Sequence, residues 1–265
     1  VLLAVEVGNT NTKIGVFEGA RLLVSWRLTS RREQTADEYG VFIETLLRTR
    51  GIGPQDIRGV AISNVVPPVE AMLRSMSEKY FGIEPFSVEP GADCGLPLAV
   101  DNPREVGADR VVKSVAARAL YGAPLIVIDF GTATTFDCVN ARGEFIGGAI
   151  APGLATSVDA LLNRAARLYR VELVRPPTAI GRSTITNIQS GVIHGYAGLV
   201  DGLVDRMRAE MEGAPRVVAT GGHAALIADA TRTIEIVNPD LTLEGLRMLF
   251  ERSQKAAPGE SVDRH

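Results

Sequence analysis

The sequence predicts an α/β protein built from two similar halves, and three observations predict it. Val1 to Phe17 is an apolar run broken once, by Glu6-Val7-Gly8-Asn9-Thr10-Asn11-Thr12, before Ile14, Val16 and Phe17 resume it. Leu125 to Val139 repeats the scheme as apolar strand, acidic residue, spacer, glycine, hydroxyl-rich turn and second strand. Glu6-x-Gly8-x-Thr10 thus aligns with Asp129-x-Gly131-x-Ala133. After each copy, helical and extended patterns alternate. An internal repeat at this separation makes two half-molecules, each opening on a β-hairpin.

The hairpins follow from composition. Apolar, β-branched segments on either side suit paired, buried strands, and the small polar turn cannot be core because its hydroxyls and amides would lie unsatisfied. Such a turn offers N–H and hydroxyl donors in a tight concavity, which suits a phosphate chain. An ordinary hairpin whose Asn and Thr merely suit a turn fits the first stretch equally well; the second copy favours the phosphate reading. Val217 to His223 adds a strand running into Gly221-Gly222 and then a helix, suited to close approach of a flat ligand.

In chain order, Leu22 to Thr29 continues the first sheet, with Trp26 on the same core-facing side as Leu22, Val24 and Leu28. A helix follows from Ala36 to Arg50. Thr35 and Glu38 form a capping-box pattern, and Tyr39, Phe42, Ile43, Leu46 and Leu47 make its apolar face. Ile57 to Ser63 reads as a strand, Pro67 to Tyr80 as a helix with proline in its first turn, and Pro85 to Val88 as a short strand. A helical run from Val111 to Leu120 leads into the second half. There strands fall near 125–129, 134–139, 145–150, 216–220 and 234–237, and helices near 154–162, 184–211, 223–229 and 241–252. Tyr121-Gly122-Ala123-Pro124 marks the junction, giving domains 1–121 and 122–252, with a polar tail at 253–265 expected to be disordered.

A chain of 265 residues that is 46% hydrophobic can bury two ordinary cores. A net charge of −3 gives no reason to expect nucleic acid or an anionic membrane as a partner. Cys94 and Cys138 lack the spacing of a metal site, and two lone thiols point to a reducing compartment. No apolar stretch approaches the roughly 18 residues of a membrane span, and the N-terminus reads as a strand without a basic leader. These features predict a soluble cytoplasmic protein. His194 reads as a partner-bonded or surface residue of its helix, and His223 as a cap or packing group near the glycine pair.

Asp101 to Arg110 is the densest polar cluster, and by composition a solvated linker with helix-capping acids is one reading of it. Its position between the halves favours another, since two-domain proteins place ligands beside the interdomain cleft. Phosphoryl transfer to an alcohol needs a carboxylate to take the hydroxyl proton and cations to neutralise developing charge. Asp109 and Arg110 are candidates for these parts.

The two turns and the glycine pair, in that order, resemble the nucleotide-binding superfamily that contains actin, the sugar kinases and the heat-shock ATPases. The resemblance implies two ribonuclease-H-like domains with an interdomain cleft. Asn102-Pro103-x-Glu105-Val106-Gly107-Ala108-Asp109-Arg110 together with Asp129-Phe130-Gly131-Thr132-Ala133-Thr134-Thr135 resembles type III pantothenate kinase more narrowly. Gly147 to Gly153 and Thr184-x-x-x-Ile188-Gln189-Ser190-Gly191 extend the likeness through the second half. By this resemblance the reaction is ATP-dependent phosphorylation of pantothenate to 4′-phosphopantothenate, the first step of coenzyme A synthesis. A catalytically weak or silent nucleotide-binding homologue with a regulatory role is the alternative. A sugar or acetate kinase fits the turns but not the Gly107-Ala108-Asp109-Arg110 motif.

The resemblance also assigns residues. Asp109 is the proton acceptor, and Gly107, Ala108 and Arg110 line the pantothenate site with it. Glu6, Val7, Gly8, Asn9, Thr10, Asn11, Thr12 and Lys13 form the first ATP turn, and Thr132 meets ATP from the second. Asp129 holds a monovalent cation, potassium or ammonium, and magnesium accompanies ATP. Thr184 touches pantothenate in the site of the neighbouring subunit of a homodimer. Two positions depart from the family pattern: Glu6 replaces an aspartate, and Val100 stands where a substrate-contacting tyrosine is common.

Overall fold

A computed structural model gives the fold and describes residues 1–89, 94–164 and 171–256. By internal contacts the chain divides into two units. One comprises Val1–Cys94, Arg104–Val112 and Thr242–His265, the other Gly95–Pro103 and Lys113–Leu241.

The first unit holds β1 (Leu2–Val7), β2 (Asn11–Glu18), β3 (Arg21–Thr29), α1 (Ala36–Arg48), β4 (Gly59–Asn64), α2 (Glu70–Phe81) and β5 (Phe86–Ser87). Its sheet runs β3-β2-β1-β4-β5. β1 pairs antiparallel with β2, Val7 opposite Thr12, and parallel with β4, Glu6 beside Ser63. β1 is central and covered on both faces, so its sequence is a continuous apolar run rather than an alternation. Leu3, Val5, Ile14 and Val16 face Ile43, Leu47, Leu73 and Met76, which lie on α1 and α2. Trp26 lies against this core, only partly buried on edge strand β3. The predicted capping box is present at α1: Glu38 N donates to Thr35 Oγ1 at 3.2 Å while Thr35 N donates to Glu38 Oε2 at 2.7 Å. Those bonds from the Thr35 backbone and hydroxyl hold the Glu38 carboxyl below the usual carboxylate range. Phe42, expected on the apolar face of α1, is 47% exposed. It sits at the margin of the stripe that Tyr39, Ile43 and Leu47 bury.

The second unit repeats this order with β6 (Leu125–Phe130), β7 (Ala133–Val139), β8 (Phe145–Pro152), α4 (Leu154–Arg164), α5 (Thr184–Glu210), β9 (Arg216–Gly221), α6 (Ala224–Ala228) and β10 (Ile236–Val237). The sheet runs β10-β9-β6-β7-β8, the same arrangement with β6 in the place of β1. One face carries Ile126, Ile128, Phe130, Phe136 and Cys138, packed with Ile193, Val200 and Val204 of α5.

Helices α3 (Ala108–Tyr121) and α7 (Leu241–Ala256) close the two runs in sequence, but contacts assign them crosswise. α7 from Thr242 belongs with the first unit, and α3 from Lys113 with the second. The chain-order boundary near Tyr121 to Pro124 therefore differs from the contact boundary within α3, because hydrophobic periodicity marks a buried helix face without naming the sheet that covers it. Ser253 to Ala256, expected as the start of a disordered tail, are the last turn of α7, and 257–265 lie outside the described residues. Among the described residues no helix is long and apolar enough to cross a membrane.

The seat of α7 on the first sheet is close. A Cβ built at Gly59 would lie 2.3 Å from Cζ of Phe250, the Phe250 ring meets Phe86 edge-on at 6.2 Å, and Arg247 stands 5.8 Å over the Phe17 ring. Gly59→Ala should therefore overpack this seam and cost about 1–3 kcal/mol of unfolding free energy. Urea denaturation checks it, and an unchanged midpoint would deny that α7 seats there.

Candidate active site

The first turn connects β1 to β2. Gly8 N donates to the Asn11 carbonyl at 3.0 Å, and Ser30 N donates to the Thr10 carbonyl at 2.9 Å, tying the turn to the end of β3. Asn9, Thr10 and Asn11 are exposed. Thr12 is not: its hydroxyl is fully buried and lies 2.9 Å from Ser30 Oγ and 3.0 Å from Tyr39 OH. Its side chain anchors the turn from beneath rather than facing a phosphate chain. Glu6 and Lys13 are cross-strand partners just below the turn, both half-buried. A carboxylate, an ammonium and exposed amides thus gather at one end of the sheet, the chemistry that a magnesium-bound phosphate chain requires.

Gly107 to Arg110 form the entry to α3. Arg110 N and Val111 N both donate to the Gly107 carbonyl, at 3.0 and 3.3 Å. The Asp109 side chain bends back toward this start, its Oδ1 2.9 Å from where a Gly107 Cβ would be. Asp109 is half-buried in the first helical turn. A partly exposed carboxylate in that position can accept a proton from a bound hydroxyl.

In the second unit the turn after β6 carries Asp129 and Thr132. Gly131 N donates to the Ala133 carbonyl at 3.0 Å, the counterpart of the Gly8 bond. The Thr132 carbonyl accepts from Gly153 N at 3.1 Å and from Thr156 Oγ1 at 2.8 Å, which fastens the turn to the start of α4 and leaves the Thr132 side chain exposed. Asp129 Oδ2 accepts from Lys113 Nζ at 2.6 Å, and the lysine side chain is 0% exposed against 19% for the aspartate. Gly221 is needed beside it. Its φ is +93°, and a Cβ there would lie 2.5 Å from Asp129 Oδ1 and 2.7 Å from the Phe130 backbone. The close approach that the glycine pair suggested is thus made, at Gly221, by the protein's own strand end.

Sequence reasoning missed Lys113. A signal was there: Val111, Val112, Val115, Ala116 and Ala117 surround it, and all of Val111 to Ala117 is buried. A lone charge in a helix buried all round must meet an opposite charge.

Other candidate residues of the second unit lie elsewhere. Thr184, the first residue of α5, lines a cavity of about 530 Å³ with Ser157, Leu161, Asn187, Ile188 and Tyr196. Ser157 Oγ and Tyr196 OH meet at 2.6 Å in its wall. Val100 is half-buried, with Cγ1 3.9 Å from where a Gly147 Cβ would stand. His194 is half-buried, and its Nε2 is buried without a hydrogen-bond partner. His223 takes the N-cap position of α6, without a side-chain capping bond.

Comparison with known proteins identifies the family. The family model described as type III pantothenate kinase matches residues 2–206. The chain is 52% identical over 255 residues to a type III pantothenate kinase of Geobacter sulfurreducens, covering 96% of this chain and all of the relative. It is 54% identical over 254 residues to one of a Roseiflexus species, again covering 96% of this chain and all of the relative. Among solved structures, the activator of the 2-hydroxyisocaproyl-CoA dehydratase from Clostridium difficile, with bound ADPNP, has a TM-score of 0.57 at 15% identity, covering 98% of this chain and 99% of that one. That likeness is one of fold alone, and the two five-stranded mixed sheets fit the two-domain α/β architecture expected from the sequence. Half the residues identical along nearly the whole length leaves a single assignment: the chain belongs to the type III pantothenate kinase family.

Proposed function

We propose that the chain transfers the γ-phosphoryl group of magnesium-bound ATP to the primary hydroxyl of pantothenate, the opening step of coenzyme A synthesis, in the cytoplasm. Membership of the family carries this, and Gly107-Ala108-Asp109-Arg110 at the entry of α3 is the feature of this chain that bears it out chemically. Asp109 accepts the hydroxyl proton as the oxygen attacks phosphorus, the bond to the β-phosphate oxygen breaks, and ADP leaves with the electron pair. Arg110 offsets negative charge on the substrate side. Asn9, Thr10 and Asn11, with Lys13, receive the phosphate chain, Glu6 would hold its magnesium, and Thr132 contacts ATP.

The resemblance also puts a potassium or ammonium ion on Asp129. The surroundings of that carboxylate do not fit an added ion. Oδ2 is taken by Lys113 at 2.6 Å, so the single positive charge that the carboxylate calls for is already supplied by the chain. No step is therefore routed through such an ion.

We further propose a homodimer in which Thr184 serves the neighbouring subunit's pantothenate site. Apolar side chains left uncovered around α4 and α5 support it: Leu161 is 44% exposed and Ile185 40%, beside the cavity that Thr184 lines. Sedimentation should give a dimer at assay concentration, and an active monomer would remove both the interface and the shared role of Thr184.

Asp109→Asn should lower kcat by about 10²–10⁴-fold while nucleotide affinity stays nearly unchanged. Steady-state kinetics with calorimetric ATP titration measures both, and half the original kcat at saturating substrate would take the proton-accepting role from Asp109.

Glu6 is fixed by β2 on one side and β4 on the other, so its extra methylene pushes the carboxylate forward of the place an aspartate would hold. Glu6→Asp should then raise kcat by about tenfold or more, since positioning dominates this chemistry. An equal or lower kcat in the aspartate form would show that glutamate is the fitted residue.

A further inference from the structure

Lys113 is the least exposed charged side chain bearing on the proposed site. Its side chain is 0% exposed, its Nζ lies 2.6 Å from Asp129 Oδ2, and it belongs to the same unit as Asp129. An N–O distance of this length between ammonium and carboxylate marks a charge-assisted hydrogen bond. An alkylammonium carries the charge of potassium or ammonium, and donates hydrogen bonds as ammonium does. Positions Val111 to Ala117 are all buried, so the ammonium is enclosed by the packing of its own helix and held against Asp129.

We propose that Lys113 is the chain's own monovalent cation at Asp129, standing where a potassium or ammonium ion would otherwise bind, so that phosphoryl transfer needs no added monovalent cation. The proposal rests on the pantothenate kinase reading for the reaction, but not for the binding. Lys113 acts as a positioning residue. It neutralises Asp129 and fixes its carboxylate beside the turn that bears Thr132, and it takes no part in bond making.

The test compares the full chain in potassium chloride and in choline chloride at equal ionic strength, with ATP supplied as a salt free of potassium, sodium and ammonium. Two readouts are taken: the rate of pantothenate-dependent ADP release, and the Tm without substrates. The wild type should give the same rate and the same Tm in both salts. Lys113→Asn, prepared in potassium chloride, should lose about tenfold or more of its rate in choline chloride and regain it with potassium or ammonium chloride, with Tm rising in parallel.

A wild type activated about tenfold by potassium, or one whose Tm rises with it, overturns the proposal, as does a Lys113→Asn variant indifferent to potassium in both readouts. If that variant does not fold, the wild-type comparison decides alone. Absence of turnover in every form strikes at the kinase reading instead, and the Tm comparison still settles the part of Lys113.

Discussion

A carboxylate at the end of a buried central strand must be met by positive charge, and this requirement at Asp129 arranges the second unit around it. Leaving one member of such a pair without its partner costs about 3–5 kcal/mol, a large share of a domain's net stability. Three features of the sequence answer the requirement together. α3 presents Lys113 from within a run of small and β-branched residues that permit close contact with the sheet. β9 ends in Gly221, where any side chain would strike Oδ1. β6 supplies an otherwise apolar strand, so that no other charge of that strand competes for the ammonium. The same helix carries Asp109 in its first turn and Lys113 one turn later.

The two hairpin turns show how a repeat is specialised without changing its construction. Each glycine amide closes its turn onto a carbonyl at 3.0 Å, but the second turn is one residue tighter, from Gly131 to Ala133 rather than Gly8 to Asn11. The first keeps Asn9, Thr10 and Asn11 exposed and is held from below by the Thr12 hydroxyl. The second is held through its own backbone, because the Thr132 carbonyl takes two donors from the entry of α4. One turn therefore leaves three exposed residues at its tip, whereas the other holds an exposed threonine beside a carboxylate paired with an ammonium.

Much of the fold was legible because its signals are local. Apolar runs bracketing a polar turn specify the hairpins, and Thr35 with Glu38 specifies the start of α1. What escaped was set by partners distant in sequence. Thr12 read as a phosphate ligand by position, yet Ser30 and Tyr39 draw its hydroxyl inward. Phe42 fell within the helical stripe but beyond the width that the sheet covers. Ser253 to Ala256 looked polar enough for a tail, although Ser253 lies partly buried in the last turn of α7. The crosswise assignment of α3 and α7 was hidden for the same reason, since a buried face says nothing about which sheet buries it. The resemblance could point to Asp109 and Asp129 by motif, but not to Lys113, whose meaning appears only when α3 is laid against β6.

A tethered ammonium and a diffusible ion solve the same electrostatic problem with different consequences. A bound ion stabilises the folded site only as RT ln(1 + [L]/Kd), so the charge at the carboxylate varies with the surrounding salt. A lysine on a packed helix is present at fixed stoichiometry, and the entropy of bringing it to the carboxylate is met once, in folding. Against this stands the desolvation of the ammonium, several kcal/mol when the side chain is fully buried, which a hydrogen bond of 2.6 Å to a partly exposed carboxylate offsets. The carboxylate keeps 19% of its side-chain surface exposed. It can therefore still respond to charge arriving at Thr132, whereas the lysine cannot withdraw from it. The electrostatics of the second turn are in this way made part of the fold, and what remains variable at the site is the charge carried by the substrates.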